Sequence, residues 1–166
     1  GPETGSRDSV SYVINQNKIT FILTTALRNN HPIATHVFNH GDGVHALALK
    51  VNDAKESWIK TTSNGADTFL QPTESADEHG RAVISGIKTF GDTVHYFVER
   101  KNYQGCFLPG FQPWQKDFAM AHSVGLLHID HCVGNVGWNQ MNHWVAFYEE
   151  VMGFKNILSF DDKDIH

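Results

Sequence analysis

Val44-His45-Ala46-Leu47-Ala48-Leu49-Lys50-Val51 is the stretch that decides the fold, because the pattern it opens comes back later in the chain. The run is almost wholly apolar, as expected of a strand with both sheet faces covered. Asp53 can cap a helix from Ala54 to about Asn64, with Ala54, Trp58 and Ile59 on one side and Gly65 past its end. Thr68-Phe69-Leu70 reads as a short strand, and residues 81–90 and 93–99 as a hairpin around Gly91-Asp92. The order is β-α-β-β-β. It restarts downstream: residues 126–136 read as a strand, 142–152 as an amphipathic helix stopped by Gly153, and 155–160 as another strand. Setting Val51 on Val136 gives a repeat spaced by 85 residues, which brings Trp58-Ile59 near Trp144-Val145 and Gly65 near Gly153.

Before the first copy, residues 9–25 read as a hairpin turning at Asn15-Gln16-Asn17. A short helix then starts at Pro32 and stops at Gly41. That hairpin fits the last two strands of a further module. Residues 101–124, broken by Gly105, Pro109, Gly110 and Pro113, read as a linker. The expected class is therefore α+β, with tandem β-α-β-β-β modules of which the first and last are incomplete. Both ends, Gly1-Pro2-Glu3 without a Met and Asp164-Ile165-His166, read as cuts through a longer protein.

Composition narrows the function classes. The 166 residues are 40% hydrophobic and carry a net charge of −5. The acidic balance, with no basic run longer than Arg100-Lys101, argues against a nucleic-acid surface. No apolar stretch reaches the ~18–20 residues of a membrane helix. Two cysteines, Cys106 and Cys132, make no disulfide scaffold, so a reducing, cytoplasmic setting is expected. Incomplete modules would leave sheet edges and helix faces open, so a homo-oligomer is expected as well.

Among the eleven histidines, His128-Ile129-Asp130-His131 invites a metal reading. On a strand, side chains three apart face opposite sides, so His128 and His131 do not chelate one ion together. A lone strand histidine is more often a hydrogen-bonded core residue. The repeat tilts the balance toward function: the position equivalent to His131 in the earlier copy is Ala46. Cys132 and Asp130 fall on the opposite strand face, one as core and the other paired with backbone or a neighbouring module.

The segment 127–136, Leu-His-Ile-Asp-His-Cys-Val-Gly-Asn-Val, and the block from Met141 to Phe154 closely resemble 4-hydroxyphenylpyruvate dioxygenases. So do Gly1-Pro2-Glu3-Thr4-Gly5-Ser6-Arg7, His40-Gly41-Asp42-Gly43-Val44 and residues 103–111. The resemblance covers essentially the whole chain. It implies the vicinal-oxygen-chelate fold, also called glyoxalase/bleomycin-resistance-like, which agrees with the repeat. By the same resemblance, residues 1–100 belong to an N-terminal non-catalytic domain, 101–124 to a linker, and 125–166 to the start of an iron-binding domain.

What the resemblance implies chemically is an Fe(II) enzyme that uses O2 to convert 4-hydroxyphenylpyruvate to homogentisate and CO2 in tyrosine breakdown. His131 would be the first ligand of a two-His, one-carboxylate site that leaves positions open for a bidentate 2-oxo acid and O2. Val133, two residues on, would line the substrate pocket; ordinary barrel packing is an equal reading. The family's second His and its Glu would lie beyond His166, so 166 residues alone should not turn over. His122, His143 and His166 match no ligand position. Asp161-Asp162-Lys163-Asp164 lacks calcium-loop spacing and reads as a solvated turn. Two rivals remain: 4-hydroxymandelate synthase, with the same fold and substrate, and a metal-free module of this fold holding a small ligand. His31, His36 and His40, which can share one side of the first helix, read as surface residues.

Overall fold

Alternating Val10, Tyr12 and Ile14 start the first element of the computed structural model, which describes residues 1–114 and 122–159. Two units emerge. One comprises Gly1–Val44, Ala76–Gly80 and Asn102–Val133, and the other His45–Ser75, Arg81–Lys101 and Gly134–His166.

In the first unit, β1 (Ser9–Gln16) pairs antiparallel with β2 (Ile19–Ala26), with Tyr12 opposite Leu23 and Ile14 opposite Phe21. The turn is Asn17-Lys18, which starts two residues after the expected Asn15-Gln16-Asn17 and shares Asn17 with it, because Asn17 takes the left-handed φ of 50° while Asn15 and Gln16 remain in the ladder. Helix α1 (Pro32–His40) matches its expected span. Pro32 needs no amide partner in the first turn, and the His31 ring accepts from Ile33 N at 3.2 Å. Gly41 closes the helix, its N–H donating to Val37 O at 2.8 Å.

The second unit holds β3 (Ala46–Lys50), α2 (Ala54–Ser63), most of β4 (Thr68–Asp77) and of β5 (Gly80–Lys88), β6 (Val94–Glu99) and α3 (Met141–Met152). The sheet order is β3-β6-β5-β4, with β3 parallel to β6 and β5 antiparallel to it. This is the expected β-α-β-β-β order closed into one sheet, with β4 running well beyond the three residues 68–70 read from the sequence. The hairpin turns at Gly91-Asp92 as expected, both residues taking left-handed φ (62° and 60°), and Thr93 N donates to Phe90 O at 3.1 Å.

Pairing puts Leu49, Phe97 and Ser85 on one sheet face, since Leu49 sits opposite Phe97 and Phe97 opposite Ser85. On that face Ala54 from α2 and Val151 from α3 close a core with Ile87 and Phe97. Polar groups seat α2 on the strands. Asp53 Oδ1 accepts from Glu56 N at 2.7 Å, and Glu99 Oε2 accepts from Ala54 N at 3.2 Å. Fully buried Ser85 donates its hydroxyl to Ala54 O at 2.7 Å. Asn64 joins the helices by donating its side-chain amide to Glu150 O at 3.1 Å. On the reverse face the Tyr96 ring lies over Gly86, where a Cβ would stand 3.1 Å from it, and reaches the edge of Phe69.

Residues 126–136 and 155–159 form no strand among the described residues. A strand needs a neighbour for every second N–H and C=O, and no described strand runs alongside either segment. Leu126 and Leu127 dock on the β1–β2 turn. Lys18 N donates to Leu127 O at 3.1 Å, Leu126 N donates to Gln16 Oε1 at 3.0 Å, and the Asn17 side chain donates to Leu126 O. Cys132 follows the same logic. Expected in a core on the far strand face, it is exposed, since no sheet among the described residues covers it.

Candidate metal centre

His131 stands in this segment outside any described strand with its ring largely exposed, and His128 and Val133 are exposed with it. Its Nδ1 lies 2.6 Å from Asp130 Oδ2. The sequence expectation for Asp130, a carboxylate turned to backbone or another module, is thus corrected. Without ladder bonds the backbone lets adjacent side chains converge, and the carboxylate takes the ring N–H. A carboxylate accepting from Nδ1–H leaves the lone pair on Nε2, one of the two arrangements in which a neutral imidazole binds a metal. The residues present therefore suit one protein ligand of an Fe(II) site. No group of three His, Cys, Asp or Glu able to hold an ion occurs among the described residues.

The other sequence candidates are dispersed. His143 is exposed on the first turn of α3, its ring against Trp144 at 5.1 Å, while Gln140 holds the cap position. His122 is exposed, and the Cys106 thiol donates to Phe111 O at 3.4 Å. His166 and Asp161-Asp162-Lys163-Asp164 lie outside the described residues.

Sequence reading missed one histidine. His95 is buried on β6, and its Nε2 is 2.9 Å from the Tyr148 hydroxyl of α3. Burial holds its pKa below the ordinary histidine value. The only sequence signal was a polar residue inside the apolar run Val94-His95-Tyr96-Phe97-Val98. Because the folded state resists the proton, the unfolded state binds more of it once pH falls below about 6.5, and stability drops until the folded pKa is passed. Urea unfolding between pH 8 and pH 5 should show this slope, and His95→Gln should flatten it. An unchanged slope in the variant would assign the pH dependence elsewhere.

Tyr103 is a second missed contact. It is buried in the first unit, bridges to Gly80, and donates its hydroxyl to Asp77 Oδ2 at 2.9 Å. Gly105 lies so close to that hydroxyl that a Cβ would stand 2.2 Å away, so the start of the 101–124 stretch folds tightly around one side chain.

Known proteins place this architecture. The family model described as hydroxyphenylpyruvate dioxygenase, N-terminal, matches residues 6–109. A 4-hydroxyphenylpyruvate dioxygenase of Yarrowia lipolytica is 39% identical over 99% of this chain and 44% of its own length. One of Caenorhabditis briggsae is also 39% identical, over the whole chain and 43% of its own length. The chain thus spans under half the length of the curated relatives it matches. Among solved structures, a 4-hydroxymandelate synthase variant from Streptomyces coelicolor superposes with a TM-score of 0.70 at 23% identity, covering 96% of this chain and 45% of its own, which is a likeness of fold. No helix among the described residues is long and apolar enough to cross a membrane. With its vicinal-oxygen-chelate fold and a family model covering residues 6–109, the chain belongs to the hydroxyphenylpyruvate dioxygenase family.

Proposed function

We propose that this chain is part of an Fe(II)-dependent dioxygenase acting on 4-hydroxyphenylpyruvate and O2 in tyrosine catabolism. The observation that carries the reading is that similarity to 4-hydroxyphenylpyruvate dioxygenases continues past residue 109, through the part of the chain that holds His131. Fe(II), when bound, supplies the oxidative decarboxylation and ring hydroxylation that yield homogentisate and CO2. The chain's own contribution is to hold the ion and shape the space around it. His131 offers Nε2 while Asp130 keeps the proton on Nδ1. A protonated ring has no lone pair to give, so metal retention should weaken as pH falls. Val133 lines the substrate side of the site in this reading. Residues 1–100 act as an N-terminal domain without metal, 101–124 as the linker, and 125–166 as the start of the iron-binding domain. The whole protein is a cytoplasmic homo-oligomer.

The test is product identification with the full-length protein, reconstituted with Fe(II) and given 4-hydroxyphenylpyruvate and O2. Homogentisate is the expected product. 4-Hydroxymandelate would transfer the chain to the synthase reading, and no O2 uptake would overturn the enzyme assignment. The 166 residues alone, with one of three expected ligands, should consume no O2 under the same conditions.

A further inference from the structure

Helix α1 carries a feature that the dioxygenase reading does not use. His36 and His40 sit one turn apart, and their ring centroids are 4.7 Å from each other with planes at 47°. Residues four apart share a helix face, and two imidazoles in that spacing can place nitrogens on one ion. The helix that presents them is held at both ends, by the His31 and Pro32 start and by the Gly41 stop. His40 stands in the last turn, where the partial negative charge of the helix C-terminus favours a cation. His31 is not part of the pair, since its ring is engaged with Ile33 N.

We propose that His36 and His40 form a second, two-imidazole site for a divalent transition ion of the Cu2+, Ni2+ or Zn2+ class, separate from His131. Neutral imidazole suits these ions, and affinity for such a donor pair rises from Fe2+ through Ni2+ to Cu2+. Mg2+, which demands oxygen ligands, is not held. Joining both donors to one helix makes the second contact intramolecular, and such linkage can exceed single-group binding by ~10²–10⁴. One practical consequence concerns His131: metal counted on the whole protein includes ions on α1 unless this pair is removed.

Calorimetric titration of the metal-stripped chain with Cu2+, and separately with Ni2+ and Mg2+, tests the proposal. Cu2+ and Ni2+ should bind and Mg2+ should not. Either His36→Gln or His40→Gln should weaken the site by about 100-fold or more, as expected when a chelate becomes a single contact. His131→Gln should leave it intact. A spacing control separates geometry from histidine count: Phe38→His in the His40→Gln background keeps two histidines but turns the second off the shared face. Phe38 is 89% exposed, so the change disturbs no core. That variant should not recover binding. Hydrogen exchange at α1 amides should also slow with Cu2+ in the parent chain alone. Unchanged binding in the doubly substituted His36→Gln/His40→Gln chain, or recovery in the spacing control, would overturn the proposal.

Discussion

His131→Ala in the full-length protein is expected to abolish iron retention, and with it turnover. A facial two-His, one-carboxylate site gives three protein bonds, and losing one leaves two, so the ion escapes on desalting. The His131 ring is exposed and bonded within the described residues only to its neighbour Asp130, so its removal should leave the fold unaffected. Iron per chain after gel filtration, measured beside a circular dichroism spectrum, checks both halves. Normal iron content in a folded variant would take His131 out of the site. Asp130→Asn supplies a graded companion. It removes the carboxylate that orients Nδ1–H, and losses of this kind lower metal affinity by about 10–100-fold rather than abolishing it. His36→Gln/His40→Gln is the appropriate background, so that ions on α1 are not mistaken for ions at His131.

Phe97→Ala should produce the largest loss of stability. Phe97 is 4% exposed at the centre of the four-stranded sheet and packs in one cluster with Ala54 of α2 and Val151 of α3. Truncating a buried Phe removes its transfer energy and leaves a cavity, together about 3–5 kcal/mol. Domains are stable by only about 5–15 kcal/mol, so the second unit would be close to unfolding. Urea unfolding should show a lower midpoint with an unchanged slope. Phe97→Leu, which keeps most of the volume, should cost less. Phe38→Ala, on the exposed side of α1, should stay within about 0.5 kcal/mol of the parent. A small effect at Phe97 would mean that the helices do not depend on this core.

Much of the second unit was legible in the chain because its signals are local. Asp53 caps α2 through an amide three residues away, and Gly153 ends α3 in the left-handed conformation at φ 71°. The local signals of residues 46–99 anticipated the β-α-β-β-β order of that module, while of the second copy of the repeat only its helix, α3, forms among the described residues. What failed were statements about which distant group lies beside a given residue. Cys132 was assigned to a core that the described strands do not provide, and Asp130 was turned away from a ring that it contacts. His95 passed unnoticed because its partner, Tyr148, stands 53 positions away.

Sequence by itself therefore determined the helices, their ends, the β-α-β-β-β order of residues 46–99 and the family. Each helix satisfies its backbone within its own segment, and caps and periodicity are written within a few residues. Tertiary structure alone decided that β3 pairs in parallel with β6, that His95 meets Tyr148, and that residues 126–136 join no strand among the described residues. A strand takes its hydrogen-bond partners from elsewhere in the chain, so an apolar alternating run states only what it could join. The neighbour that runs beside it decides whether it does.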